Sequence, residues 1–146
     1  MKLADKGPFA APPTLAGPAE EVAREVRSWP GVVSATHWYL FDRSVVDGVD
    51  FYVGERELGH LHLDGGLHLA ATPGLREALV QGGWGRPASW GPRSGWVETS
   101  VRREGDVERG RWLFRLNYDR LNGVPWRELQ ARVAERAGRT RRPRTA

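Results

Sequence analysis

The chain contains no cysteine, so disulfides, thiolate metal sites, iron–sulfur clusters and cysteine nucleophiles are all excluded. It has two lysines, Lys2 and Lys6, and one methionine. No apolar run approaches the roughly 18 residues that a membrane-spanning helix needs. The opening Met1-Lys2-Leu3-Ala4-Asp5-Lys6 lacks the apolar stretch of a secretory signal, and the expectation is a cytoplasmic protein with no membrane partner. There is no Gly-x-Ser-x-Gly elbow, no Gly-x-Gly-x-x-Gly fingerprint and no Gly-Lys-Ser/Thr phosphate loop. Sequence signatures of serine hydrolases and nucleotide-binding folds are therefore missing. What is present is ordinary globular composition: 146 residues, 40% hydrophobic and 27% charged, the size of one domain.

Charge is unevenly placed. The net charge is +4, and the last nine residues carry Arg139, Arg141, Arg142 and Arg144 with no acid, so residues 1–137 balance to zero. An electrically balanced body is not expected to bind nucleic acid, whereas an arginine tail offers salt-dependent phosphate contacts. The alternative function carried by this feature is a nucleic-acid or protein interaction module using the tail and the helix arginines Arg109, Arg111 and Arg115. Solvated chain termini of this kind are also common without any partner.

Residues 1–17, with Pro8, Pro12 and Pro13, read as a flexible leader. Residues 18–137 read as a single α+β domain, and 138–146 as a basic disordered tail. Pro18 and the acids after it open a helix ending at Trp29 before Pro30-Gly31. Strands follow over Val32–Phe41, Val49–Val53 (after an Asp47-Gly48 turn), Leu58–Leu63 and Leu67–Ala71. Thr72-Pro73 starts a helix to Gln81. Residues 84–95 read as loop, Trp96–Arg102 as a fifth strand, and Asp106 as the cap of a helix through Leu121. A last helix follows Pro125. Short connections among the early strands imply antiparallel pairing, so the expected architecture is a single antiparallel sheet of about five strands with helices packed on one face.

Chemistry is concentrated in Glu57-Leu58-Gly59-His60-Leu61-His62-Leu63-Asp64-Gly65-Gly66-Leu67-His68-Leu69. On a strand His60 and His62 share a face. A three-residue loop, Asp64-Gly65-Gly66, pairs His62 with His68 and gathers Leu61, Leu63, Leu67 and Leu69 on the other face; a two-residue loop splits the leucines. The expected His62–His68 separation is about 5 Å between Cβ atoms. Three converging imidazoles form a candidate divalent-metal site, with Glu57, Asp64 and His37 as supporting partners. A small-molecule pocket formed by His60, His62, His68, Glu57, Trp84 and Trp96, with Trp90 nearby, is the second reading. A polar, half-solvated strand face without a ligand is the third. Clustered histidines further predict pH sensitivity near pH 6–7.

Three stretches resemble the small bacterial and fungal family called the luciferase domain, a domain of unknown function. They are Glu57-x-Gly59-His60-x-His62 with Asp64-Gly65; Gly82-Gly83-Trp84-Gly85; and Ser94-Gly95-Trp96-Val97 followed by Asp106-Val107 and Leu116-Asn117-Tyr118-Asp119. The resemblance runs from about Trp29 to Leu121. Its name does not imply light emission, although it and the histidines suggest an oxidoreductase or hydrolase as a further alternative. Members often carry histidines after the glycine-rich turn, where this chain has Ala88-Ser89-Trp90. Oligomeric state and any ligand's identity stay open at this stage.

Overall fold

A computed structural model describes residues 2–91 and 93–141, the last three by backbone alone. Four helices, α1 (Gly17–Ser28), α2 (Pro73–Gln81), α3 (Val107–Leu121) and α4 (Trp126–Arg141), accompany six strands. The strands are β1 (Val32–Tyr39), β2 (Asp42–Val53), β3 (Arg56–His62), β4 (Gly66–Ala70), β5 (Arg86–Pro87) and β6 (Trp96–Ser100). They form one sheet in the order β1-β2-β3-β4-β6-β5, antiparallel at every pairing. The class is α+β as expected, with one strand more: the two-residue β5 pairs with β6 inside a segment that reads as loop.

Helices cover one face of the sheet. Val22 and Val26 of α1 and Leu113 and Phe114 of α3 bury with Phe51, Leu58, Leu61, Leu67, Leu69 and Val97 of the strands. This apolar burial is the main driving term for the fold. Thr72 accepts the Leu75 N–H at 3.2 Å and Pro73 occupies the first turn of α2, the arrangement the sequence predicts. Asp106 does not cap α3. Its carboxylate accepts the N–H groups of Arg102 and Arg103, each at 3.0 Å, because the chain makes a short 3-10 turn before the helix.

Two register expectations are corrected. Asp47-Gly48 is no turn; β2 runs through it, and the chain reverses at Leu40-Phe41. The β3–β4 connection is Leu63-Asp64-Gly65, one residue earlier than expected, so His60 faces His68 and Leu61 faces Leu67. Asp64 decides this. Its Oδ1 accepts the Gly66 N–H at 2.8 Å, while the Gly65 N–H donates to the His62 carbonyl at 3.0 Å and the Gly65 carbonyl accepts from Val101 at 2.7 Å. Leu63 consequently leaves the core and is 47% exposed. The shift moves the pairing by two positions, so each side chain keeps its face.

α4 extends to Arg141, which makes 138–141 helical; the rest of the expected tail lies outside the described residues. Arg109 pairs with Asp106, Arg111 with Glu25 and Arg115 with Asp119. These three helix arginines are thus neutralised locally and do not form the basic stripe that a phosphate-binding face requires. Among the described residues no helix is long and apolar enough to cross a membrane.

Candidate functional site

Strand alternation places all four histidines of the chain on the sheet face opposite the helices. Cross-strand register then arranges them in two rows. One runs Asp50, His60, His68, Glu98 across β2, β3, β4 and β6. The other runs His37, Gly48, His62 across β1, β2 and β3. Gly48 contributes no side chain, so His37 and His62 meet above it with ring centroids 5.0 Å apart. A Cβ there would lie 2.0 Å from the Leu61 carbonyl oxygen.

Two irregularities bring acids onto this face. The β1–β2 register shifts between His37 and Trp38, leaving Asp47 without a β1 partner, and its carboxylate reaches the His62 Nδ1 at 2.8 Å. The β2–β3 register shifts where Phe51 faces Gly59 and Tyr52 faces Glu57. Leu58 is the additional residue, so Glu57 returns to the same face as His60 instead of alternating away. Gly59 sits at φ 152° in this bulge, and a Cβ would meet the His68 carbonyl oxygen at 2.4 Å. The freed Leu58 carbonyl accepts from the Asn117 side chain at 2.9 Å, and the same nitrogen donates to the Ala70 carbonyl at 3.0 Å. Asn117 is fully buried. It ties the bulge in β3 to the end of β4 through α3.

Each imidazole has a carboxylate on one ring nitrogen. Asp50 lies 2.8 Å from the His37 Nδ1, Glu57 3.4 Å from the His60 Nδ1, Asp47 2.8 Å from the His62 Nδ1, and Glu98 3.6 Å from the His68 Nε2. Asp50 and Asp47 stand at hydrogen-bond distance from the Nδ1 atoms of His37 and His62, where an ionised carboxylate can only accept. On their opposite edges the His60 Nε2 and the His62 Nε2 each lie at hydrogen-bond distance, 2.8 Å, from the His68 Nδ1, and one ligand atom from each of His37, His60 and His62 lies within 4.8 Å of the others. The ring of His37 stacks on that of His60 at 4.0 Å.

Burial is the leading reason that His60 is held well below the ordinary imidazole range, followed by repulsion from His37. His68 is brought down to about 4, by burial first and then by His62. Glu57 is pushed up by burial, with Lys6 pulling against it. A depressed histidine has a definite consequence for stability. The unfolded chain takes up protons near pH 6.5 while the folded site refuses them, so folding weakens as pH falls below about 6.5 and levels off near the folded value. The urea midpoint is expected to be flat above pH 7 and to fall between about pH 6.5 and 4, with a shallower slope in His68→Ala. A midpoint that rises on acidification through pH 6 would contradict the lowered proton affinity of His60 and His68.

Of the residues anticipated from sequence, His60, His62, His68, Glu57 and Trp96 come together here, Trp96 lying 5.3 Å from the His60 ring. Trp90 meets the His68 ring edge-on at 4.6 Å. Trp84 lies elsewhere. It packs on Trp112 at 5.4 Å beneath the Arg136 guanidinium, because the Gly82-Gly83 helix end turns it toward α3 and α4. Asp64 serves the turn and touches no imidazole. Sequence reasoning missed Asp47, Asp50, Glu98 and Lys6 as partners. The Asp-Gly pair inside a strand was the available signal for the first.

Residues 2–14 contribute to this face. Thr36 donates through its N–H to the Ala10 carbonyl at 2.9 Å and through its hydroxyl to the Ala11 carbonyl at 2.8 Å. The Trp38 indole donates to the Pro8 carbonyl at 2.9 Å. These bonds carry the Lys6 ammonium to Asp50, at 3.2 Å, and to Glu57. On the other side of the cluster a groove of about 310 Å³ is lined by His62, His68, Arg86, Trp90, Glu98 and Arg102 among others. A larger space of about 420 Å³, between Gly74, Arg120 and Leu129 on the helical side, holds no histidine. His62 and His68 open into the smaller groove.

No curated protein and no solved structure matches the chain. The family model described as Luciferase domain matches residues 55–117, a span containing β3, β4, β6 and most of α3. It includes Glu57, Gly59, three of the four histidines and Asn117, which builds the bulge that places Glu57. The match falls on the segment whose motifs resemble that family.

Proposed function

We propose that the protein binds a first-row divalent metal ion through His60, His62 and His68, with His37 beside them. The observation that carries this reading is the meeting of the His60, His62 and His68 ring nitrogens, each ring with a carboxylate on its far side. Ring nitrogens this close either share a proton or meet on a cation. Such carboxylate–histidine pairs are the usual second layer of a histidine metal site, where they fix the tautomer and raise ligand basicity. His60 and His68, whose proton affinity burial lowers, are ready to ligate without first losing a proton. All-nitrogen donors suit zinc, nickel, cobalt, copper or iron better than magnesium or calcium.

A metal held there would supply Lewis-acid polarisation of a ligand entering from the groove. The chain's own groups would orient that ligand: Trp90 offers a flat apolar wall, and Arg102 and Glu98 line the groove beside His68. The test begins with metal analysis of untagged protein, followed by thermal melting of chelator-treated protein with zinc, nickel, cobalt or manganese chloride. A ligand at a hundred times its Kd stabilises by about 2.7 kcal/mol, which for a chain of this size raises Tm by roughly 5–10 °C. Flat melting curves with every metal would sink the proposal and leave a polar strand face.

A further inference from the structure

On the other side of His60 the buried charge does not balance. The Asp50 side chain is fully buried and that of Glu57 is 4% exposed. Among the described residues the ammonium in contact with the pair is that of Lys6, and the Tyr52 hydroxyl bonds Glu57. If both carboxyls ionise, one ammonium leaves the pair one positive charge short in a place shielded from water. The deficit has an atomic address. The Asp50 Oδ2 and the Glu57 Oε2 are buried and have no hydrogen-bond partner among the described residues, an arrangement that is costly unless something cationic meets them. One ligand atom from each of Asp50, Glu57 and His60 lies within 4.8 Å of the others. Carboxylate oxygens favour hard cations.

We propose that Asp50 and Glu57, beside the Nδ1 edge of His60, form a second cation site for an oxygen-preferring divalent ion, and that the Lys6 ammonium is its resident cation. A divalent ion and the leader strand therefore compete for one place. Lys6 is held there by three backbone anchors, at Pro8, Ala10 and Ala11, and these persist or yield independently of the ammonium. The site shares the His60 ring with the histidine site and differs from it in its two carboxylate donors.

The experiment uses the full chain with the histidine site disabled, His62→Ala/His68→Ala, and manganese chloride as the probe. Free Mn²⁺ is read by its electron paramagnetic resonance signal. Adding Lys6→Met, which keeps the chain length but removes the charge, is expected to tighten Mn²⁺ binding at least tenfold, to one equivalent. Adding Asp50→Asn to that variant is expected to abolish the gain. Equal affinity with lysine or methionine at position 6, or a gain that survives Asp50→Asn, overturns the proposal. Should the Lys6→Met chain not fold, the unaltered protein gives the answer through trypsin. Millimolar Mn²⁺ is expected to speed cleavage after Lys6 several-fold by releasing its ammonium, and an unchanged rate overturns the proposal equally. Because the first test lacks the histidine site, its outcome is independent of whether that site binds metal.

Discussion

Replacing His68 with alanine is expected to weaken zinc binding by about a thousandfold while lowering the melting temperature of the metal-free protein only slightly. The separation follows from where the residue sits. Its Nδ1 is the point on which the nitrogens of His60 and His62 converge, so its loss removes the centre of the donor set. Its ring, by contrast, stands on the open face beside the groove and fills no part of the helix-covered core. Asp47→Asn should give an intermediate result, a loss of roughly 10–100-fold, because Asp47 only orients the His62 ring. A chelator competition titration measures both. Equal losses in the two variants would mean that the effect travels through folding and not through ligation.

The second large effect is expected from Gly59→Ala. A Cβ at this position would sit 2.4 Å from the His68 carbonyl oxygen and 3.1 Å from the Phe114 ring, on a backbone at φ 152°. Neither the β4 backbone nor the core ring can withdraw without disturbing the other. A backbone conformation that L residues avoid costs about 1–3 kcal/mol by itself, and crowding a packed interior adds a similar amount. We expect a total loss of about 3–5 kcal/mol, read as a drop in the urea midpoint. If the variant folds, its bulge will have relaxed, turning Glu57 away from His60 and uncoupling Lys6 from the pair. A stability change below about 1 kcal/mol would show that the bulge is less confined than the contacts at Gly59 indicate.

Much of this was legible in the residues. Leucine alternation in Leu61, Leu67 and Leu69 is enough to put His60, His62 and His68 on a common face, and the face survived even though the predicted partner of His68 was off by two positions. The error arose at Leu63. Hydrophobic pattern alone favours burying a fourth leucine, but the Asp64 side chain and the Val101 N–H tie the turn one residue earlier. Local hydrogen bonding outweighed the burial of a single side chain, which is worth about 2 kcal/mol at most in a partly covered position.

The acids were harder to read. Strand parity says that Glu57 and His60, three residues apart, face opposite ways; a bulge reverses this, and its supports lie far along the chain at Asn117. Asp47-Gly48 has the composition of a hairpin turn, yet the same two residues serve within β2 as a bulge and a gap over which two histidines meet. Lys6 comes from a proline-rich leader with no periodicity to mark it. In each case a side chain reached the site through an exception to regular pairing, and the sequence signs of such exceptions, mainly glycines, do not say which partner they serve. Trp84 shows the converse. Its position in a family motif reflects packing against Trp112 and Arg136.

The account rests on protons pointing outward so that lone pairs point in, and ring nitrogen chemical shifts report this directly. In a long-range proton–nitrogen NMR correlation of the metal-free protein at pH 7, His60 and His62 should carry their proton on Nδ1 and His68 on Nε2. Addition of one equivalent of zinc should then move the His60 Nε2, the His62 Nε2 and the His68 Nδ1 resonances and leave their partners nearly in place. Protons found on the inward nitrogens, with zinc moving none of the rings, would contradict it.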